Sequence, residues 1–271
     1  MSAHLENELA IARSAAVEAG VFISSHWGGD FEVRHKGEID LVSEVDLGAE
    51  AIVTRIISAA FPDDAIVAEE GGGSNRESGR TWHIDPLDGT TNFSHGFPHF
   101  AVSIGLVIDG VPSVGVIHDP IRQWTFHGRM GGGAWLDEKA LQVSETTTLG
   151  EALVSTGFPY DRWKNPDNNG HRCTHLLRRT QGMRRPGAAA LDLAYIAAGW
   201  IDGYWEIKLN SWDVAAGALL VSEAGGKFSD LRGNPISVHG GSFVASNGRI
   251  HTPLVDALME SDREFESKVL K

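Results

Sequence analysis

Cysteine is nearly missing from this chain. Cys173 is the single cysteine in 271 residues, which excludes an intramolecular disulfide and a cysteine-rich zinc site and favours a reducing compartment. Long apolar runs are missing as well. The run Phe100 to Ile108 holds nine residues, against the ~20 that a membrane-spanning helix needs. Near the N-terminus stand Glu6, Glu8 and Glu18, where a signal peptide would need a basic cluster before an apolar stretch. A cytoplasmic protein without a membrane partner is expected. Positive charge is scarce: 23 Lys and Arg face 36 Asp and Glu, for a formal charge of −13. A nucleic-acid partner would demand a basic face, so none is expected. The deficit suits handling of an anion with cations supplying the missing positive charge. Hydrophobic residues at 42% and charged residues at 22% exclude a disordered or collagen-like chain. Glycine, with 32 residues and no period, points to tight turns and close backbone approaches.

Apolar periodicity predicts an opening helix through Leu5, Leu9, Ala12, Ala16, Ala19 and Ile23, and a second helix from Ala49 that stops before Pro62. Residues 28 to 40 read as a polar, Gly-rich stretch of hairpin type. Short strands follow at Ala65 to Val67 and at Trp82 to Ile84, the latter ended by Asp85-Pro86. Phe100 to Ile108 and Val111 to Ile117 flank Asp109-Gly110, a hairpin signal. Further strands are expected near Gln123 to His127 and Ala134 to Leu136. After about residue 150, strands (Ala152 to Ser155, Ile201 to Ile207, Phe243 to Ala245) alternate with helices (Asn169 to Thr180, Ala189 to Ala198, Asp213 to Ala224, and from Pro253 onward). The chain divides into an α+β half, residues 1–145, and an α/β half, residues 146–271. The two are packed as one compact unit with helices covering both sheets.

Acids stand beside structure-ending residues at Glu69, at Asp85-Pro86-Leu87-Asp88-Gly89-Thr90-Thr91 and at Trp212-Asp213, with Asp46 upstream. The central motif offers two carboxylates and a row of amide groups to one point. Amides at a helix start attract phosphate, and carboxylates around the same point attract hard cations such as Mg²⁺. Together they suggest metal-assisted phosphoryl chemistry. Each acid alone has a plainer reading. Asp213 serves as a helix cap worth roughly 1 kcal/mol, Asp88 as a turn-former beside Gly89, and Glu69-Glu70 as a solvated loop. The combination shifts the weight toward chemistry.

Competing motifs fail on spacing. Asp85 and Asp88 are three apart, which excludes an EF-hand loop and an aspartyl-nucleophile phosphatase. Gly226-Lys227 is followed by Phe228, so no Walker A pattern is present. Ala101 to Gly105 lacks the first glycine of a nucleophile elbow. Pro98 separates His95 from His99 and argues against a helical zinc pair.

Trp82 to Gly105, WHIDPLDGTTNFSHGFPHFAVSIG, closely resembles the first signature of the inositol monophosphatase family, and Trp212 to Gly226, WDVAAGALLVSEAGG, resembles the second. Glu69-Glu70 lies where that family has its acidic pair, and Arg184 to Glu206 is similar to its substrate-side segment. The resemblance implies a layered αβαβα sandwich of the inositol monophosphatase and fructose-1,6-bisphosphatase type, usually dimeric. It implies that the first half carries most metal ligands and the second Asp213 and the substrate contacts. Glu69, Asp85 and the Leu87 carbonyl then resemble ligands of one Mg²⁺, and Asp85, Asp88 and Asp213 ligands of a second, with a third, weaker ion at Glu69. The amides of Gly89 and Thr90 would cradle the phosphate, and Asp46 would pair with the Thr90 hydroxyl. Asp88, Asp213, Glu206 and the backbone of Gly187, Ala188 and Ala189 would meet substrate. The family often carries Ser or Thr where this chain has Ala188, which bears on substrate preference and not on the metals.

The implied reaction is hydrolysis of inositol monophosphate by direct attack of a metal-activated water. Rivals are a sister phosphatase, such as one for fructose 1,6-bisphosphate, histidinol phosphate or 3′-phosphoadenosine compounds, and a non-catalytic metal- or sugar-phosphate-binding protein. Arg184 and Arg185 suit a second phosphate. Gly71-Gly72-Gly73 and the loop at Lys36 read as lid hinges, with Lys36 a candidate to attract phosphate.

Overall fold

The computed structural model describes residues 5–29, 33–35, 41–71, 73–74, 79–235, 238 and 240–269, with the backbone alone at 33–35, 41–42 and 268–269. Lys36 and Gly72 lie outside the described residues. The first half contains α1 (Glu6–His26), β1 (Val33–His35), β2 (Leu41–Ser43), α2 (Glu44–Ala60), β3 (Ala65–Ala68), β4 (Arg80–Asp88), α3 (Thr90–Ser94), β5 (Ala101–Ile108), β6 (Val111–Asp119), β7 (Trp124–Arg129), β8 (Ala134–Leu136) and β9 (Lys139–Ala140). The second contains β10 (Leu153–Thr156), α4 (Gly170–Leu177), β11 (Gly182–Arg184), α5 (Ala189–Ala197), β12 (Gly203–Leu209), α6 (Ser211–Glu223), β13 (Lys227–Ser229), β14 (Gly241–Ser246) and α7 (His251–Val269).

Among the described residues, β3 to β9 form one sheet in sequence order, parallel only between β3 and β4. A second sheet has the order β11-β10-β12-β14-β13, with β10 parallel to both β11 and β12. The elements stack in five layers. The apolar stripes of α1 and α2 (Ala12, Ala16, Ile23, Val53, Ile57) bury against Trp82, Ile84, Val102 and Ile104 of the first sheet. On its other face lie α5 and α6, apolar nearly all round because they are covered from both sides. Leu193, Val214 and Ala215 pack there with Tyr204 and Phe243 of the second sheet. Outermost, α4 and α7 cover the far face through Leu176, Leu254 and Leu258 against Val154 and Trp205. This is the αβαβα sandwich.

Several boundaries differ from expectation. β4 does not end at Asp85 but runs through Pro86 to Asp88, with an irregular register between Asp85 and Asp88. Proline survives inside a strand at such a bulge because no ladder hydrogen bond is asked of it. The fourth helix spans Gly170–Leu177, shorter than the predicted Asn169 to Thr180. Asn169 stands outside it in a left-handed conformation, φ 73°. β9, β11 and β13 went unforeseen, being two or three residues long.

Candidate active site

The two sheets meet at a cleft of about 980 Å³, counting the space open to solvent. Its floor is the end of β4 and the start of α3; its walls come from the segment after β10, the start of α5, β12 and the start of α6. Glu69, Asp85, Leu87, Asp88, Gly89, Thr90, Gly187, Ala188, Ala189, Glu206 and Asp213 all line it. Asp46 reaches it from behind, through Thr90. The proposed metal, catalytic and substrate residues are therefore in or directly against this one cleft, whereas Arg184 does not line it.

The bulge in β4 explains why two acids three apart serve one space. Asp85 Oδ1 accepts the Leu87 amide at 3.0 Å, which folds the bulge around its own carboxylate. Gly89 follows with φ 100°, and a Cβ there would also stand 3.1–3.3 Å from His99 and Phe100, so only glycine fits the turn into α3. Asp88 accepts the amides of Ala189 at 3.1 Å and Ala190 at 2.7 Å. Ala188 is the first flanking residue of α5 and has no oxygen to cap it; Asp88, from the other half of the chain, does so instead. Asn92 ties the same two parts together, its side-chain amide donating to the carbonyls of His99 at 2.7 Å and Pro186 at 2.9 Å.

Asp46 is fully buried, with 0% exposure. Its Oδ2 accepts the Ser43 amide at 2.8 Å and the Ser43 hydroxyl at 2.5 Å, while Ser43 caps α2 in a reciprocal box. Its Oδ1 accepts the Thr90 hydroxyl at 2.8 Å. Thr90 has one proton and two acceptor sites. With the proton aimed at Asp46, the remaining lone pairs of Oγ1 are left for the cleft. Asp213 is the third residue of α6 and not its cap. Asn210 is the cap, and Asp213 Oδ2 accepts its amide at 2.6 Å.

The carboxyl groups are crowded. Burial, then the charges of Glu69, Asp88 and Asp213 and a hydrogen bond with Glu69, hold Asp85 well above the usual carboxylate range. Burial pushes Asp88 up to about 7 against the opposing pull of the Ala190 and Ala189 amides, with Glu206 and Glu69 adding repulsion. Burial likewise raises Asp213, opposed by the Asn210 amide and reinforced by Glu69, Asp88 and Glu206. Asp213 and Glu206 are half-buried and line the cleft. Mutual repulsion of this kind, with Arg162, Arg185 and Lys208 confined to half-buried or exposed positions, suits a donor set of hard oxygens for divalent cations. No group of three or more His, Cys, Asp or Glu among the described residues is already arranged to hold an ion. The acids share a cleft and each other's field; they do not form a finished cage.

Glu206 enters from β12. Its Oε2 accepts the Tyr204 hydroxyl at 2.5 Å, and burial pushes it up to about 7 against that bond and the Arg185 charge. It lies flat on Gly157, where a Cβ would come within 2.0–2.2 Å of the carboxylate. Gly157→Ala should therefore drive the carboxylate off Tyr204, and losing that bond lowers stability by about 1.5–3 kcal/mol. Thermal unfolding reads this, and an unchanged midpoint would mean that Glu206 moves aside freely. Sequence reasoning missed Ser43, Asn92, Gly157 and Tyr204. Ser43-x-x-Asp46 is a capping-box pattern that could have been read; the others carry no local signal.

Five layers with an acidic cleft where the sheets meet define a layered α/β sandwich with a carboxyl-rich site. The sequence model of the inositol monophosphatase family matches residues 4–263. The chain is 45% identical to the inositol-1-monophosphatase of Synechocystis over 264 residues, 97% of this chain and 92% of that protein. It is 44% identical to the Nus factor SuhB of Pseudomonas aeruginosa over 257 residues, 92% of this chain and 95% of that one. The structure of inositol monophosphatase from Anabaena (Nostoc) superposes with a TM-score of 0.87 at 44% identity, covering 94% of this chain and 96% of the other. The chain belongs to the inositol monophosphatase family. It is accordingly a phosphatase for small phosphate esters, within a metal-dependent family, and no described helix is long and apolar enough to cross a membrane.

Proposed function

We propose that this chain hydrolyses inositol monophosphate to inositol and inorganic phosphate with Mg²⁺, acting as a cytoplasmic homodimer. The observation that carries the reading is the crowd of carboxyls at Glu69, Asp85, Asp88 and Asp213, each of the last three held above its usual range by burial and by its neighbours. Glu69, Asp85 and the Leu87 carbonyl would hold one ion, and Asp85, Asp88 and Asp213 a second, with Glu69 also serving a third. When bound, such ions lower the pKa of water and offset the charge of the phosphate and of the leaving oxygen.

The chain's own groups do the rest. The amides of Gly89 and Thr90 orient the phosphate. Thr90 Oγ1, polarised by Asp46, accepts a hydrogen bond from the attacking water and aligns it. The water oxygen bonds to phosphorus as the P–O ester bond breaks, the water proton passes to solvent, and the leaving alkoxide takes a proton back. No covalent enzyme intermediate forms. Glu206, held by Tyr204, accepts from a substrate hydroxyl, and Ala188 offers no competing hydroxyl. The Synechocystis and Anabaena proteins bear the inositol-phosphatase name, which supports the substrate.

A panel of phosphate esters assayed with Mg²⁺, with and without a chelator, tests the reading. Inositol monophosphate should be among the best substrates and the chelator should abolish release of phosphate. Turnover that ignores the chelator, or prefers an unrelated ester by a wide margin, contradicts it. Glu206→Gln should lower kcat/KM for inositol monophosphate by roughly tenfold, the worth of a hydrogen bond to a charged group, while sparing p-nitrophenyl phosphate. Equal loss on both esters would mean that Glu206 acts on the chemistry and not on substrate choice.

A further inference from the structure

Alternation along β4 puts His83 and Asp85 on the same face of the first sheet. Trp82 and Ile84 pack with α1 and α2, so His83 and Asp85 point the other way, toward α6. There His83 Nδ1 and Ser211 Oγ share a hydrogen bond of 2.9 Å. Ser211 is the first residue of α6, and both partners are buried. His83 stands two residues before Asp85, and Ser211 two before Asp213. One bond, spanning 128 positions of the chain, thus joins the two halves beside two of the crowded acids. The neighbouring strand adds a longer tie. Ser103, opposite Asp85 in β5, donates to the Trp212 carbonyl at 3.4 Å. One turn further on, α6 lies flush on the sheet. A Cβ on Gly105 would stand 2.7 Å from Ala215 Cβ, and one on Gly115 2.6 Å from the Ala216 carbonyl oxygen.

The glycine contacts hold the second turn of α6, whereas its first turn, which carries Asp213, is tied to the first sheet through His83 and Ser103. The box between Asn210 and Asp213 lies within the helix's own start and gives no hold on β4. Asp213 and Asp85 repel each other, and that repulsion pushes the first turn of α6 away from β4. We infer that His83 and Ser211 are positioning residues for the second of the cations proposed above, their bond keeping Asp213 within reach of an ion shared with Asp85 and Asp88. The inference rests on that cation reading. Neither residue touches the ion; each acts through the ligand two residues further along its own element. Partners that orient the ligands of a metal site are worth roughly 10–100-fold in affinity.

The test titrates Mn²⁺ into the wild type, Ser211→Ala, His83→Leu, the double variant and Asp213→Asn, with bound and free ion separated by electron paramagnetic resonance. Asp213→Asn marks the binding step that needs Asp213. That step should weaken about tenfold in Ser211→Ala and in His83→Leu, while the other step stays within twofold of wild type. The double variant should match the weaker single variant within twofold, because both changes break one bond. Ser246→Ala is the control. It breaks a buried Ser–His bond of the same 2.9 Å, to His251 outside the cleft, and should leave both steps unchanged. Wild-type affinity at the marked step in Ser211→Ala and His83→Leu overturns the positioning role. An equal loss in Ser246→Ala, or a double variant showing the product of the single effects, overturns it as well. If His83→Leu does not fold, Ser211→Ala against Ser246→Ala decides. If Asp213→Asn changes no step, the cation reading itself has failed and the inference falls with it.

Discussion

Asp85→Asn should abolish turnover at every Mg²⁺ concentration and yet leave a protein that resists heat better than the wild type when no divalent ion is present. Asp85 is 2% exposed, faces Glu69, Asp88 and Asp213, and shares a hydrogen bond with Glu69 that requires a proton between two acids. An asparagine keeps the shape and the Oδ1 that accepts the Leu87 amide. It removes the one carboxylate proposed to bridge both ions, and with it the electrostatic stabilisation of the transferring phosphoryl group. Loss of a central electrostatic element costs on the order of 10³ in kcat or more. The same change relieves repulsion in the ion-free protein, with an expected gain of about 0.5–2 kcal/mol, the usual size when a strained functional group is neutralised. Inactivity with raised stability in chelator is a joint signature. Activity within tenfold of wild type refutes the bridging role, and lower stability in chelator refutes the repulsion that motivates it.

The second large effect is a stability that depends jointly on pH and on divalent cations. Asp88 and Glu206 titrate near 7 in the folded protein, and Asp85 and Asp213 are raised as well. In the unfolded chain such groups titrate near 4. Between these limits the folded state binds more protons than the unfolded one. Stability from these groups is therefore complete below about pH 4 and is lost as pH rises through about 7. Cations replace the protons. Mg²⁺ at a hundredfold excess over its Kd contributes about 2.7 kcal/mol, or about 5–10 °C in the unfolding midpoint of a chain this size. The gap between Mg²⁺-loaded and chelated protein should be small at about pH 5, where protons occupy the carboxyls, and full at about pH 8. Differential scanning at both pH values reads it. A gap of the same size at both, or none at either, would mean that these carboxyls are not where the cations bind.

How much of this was legible in the sequence varies residue by residue. The amphipathic helices α1 and α2 and the β5–β6 hairpin at Asp109-Gly110 follow from periodicity and turn chemistry. The motif around Asp85 was readable as a place where acids gather, but its mechanism was not. Pro86 reads as a strand stop, whereas the chain bulges there and continues to Asp88, because tertiary pairing with β5 outweighs the local signal. Asp213 reads as a cap, but the box with Asn210 sets it three positions beyond the cap, inside the helix. Residues that act across long separations left no trace. Asp88 caps a helix 101 residues away, and Asn169 joins the Thr156 hydroxyl, the Gly157 carbonyl and the Trp205 indole. Such contacts depend on which strands become neighbours, and a single chain read residue by residue does not state that. Strands as short as β9 and β13 are invisible for a simpler reason: two or three residues cannot display a period.

The most direct measurement is anomalous diffraction from crystals of this protein grown with Mn²⁺ in place of Mg²⁺. Strong anomalous peaks are expected inside the cleft, bounded by Glu69, Asp85, Asp88 and Asp213, with the Asp85 carboxylate in contact with two of them. Manganese found only on the outer surface at millimolar concentration, with the cleft carboxyls still facing one another unbridged, would contradict the account at its centre.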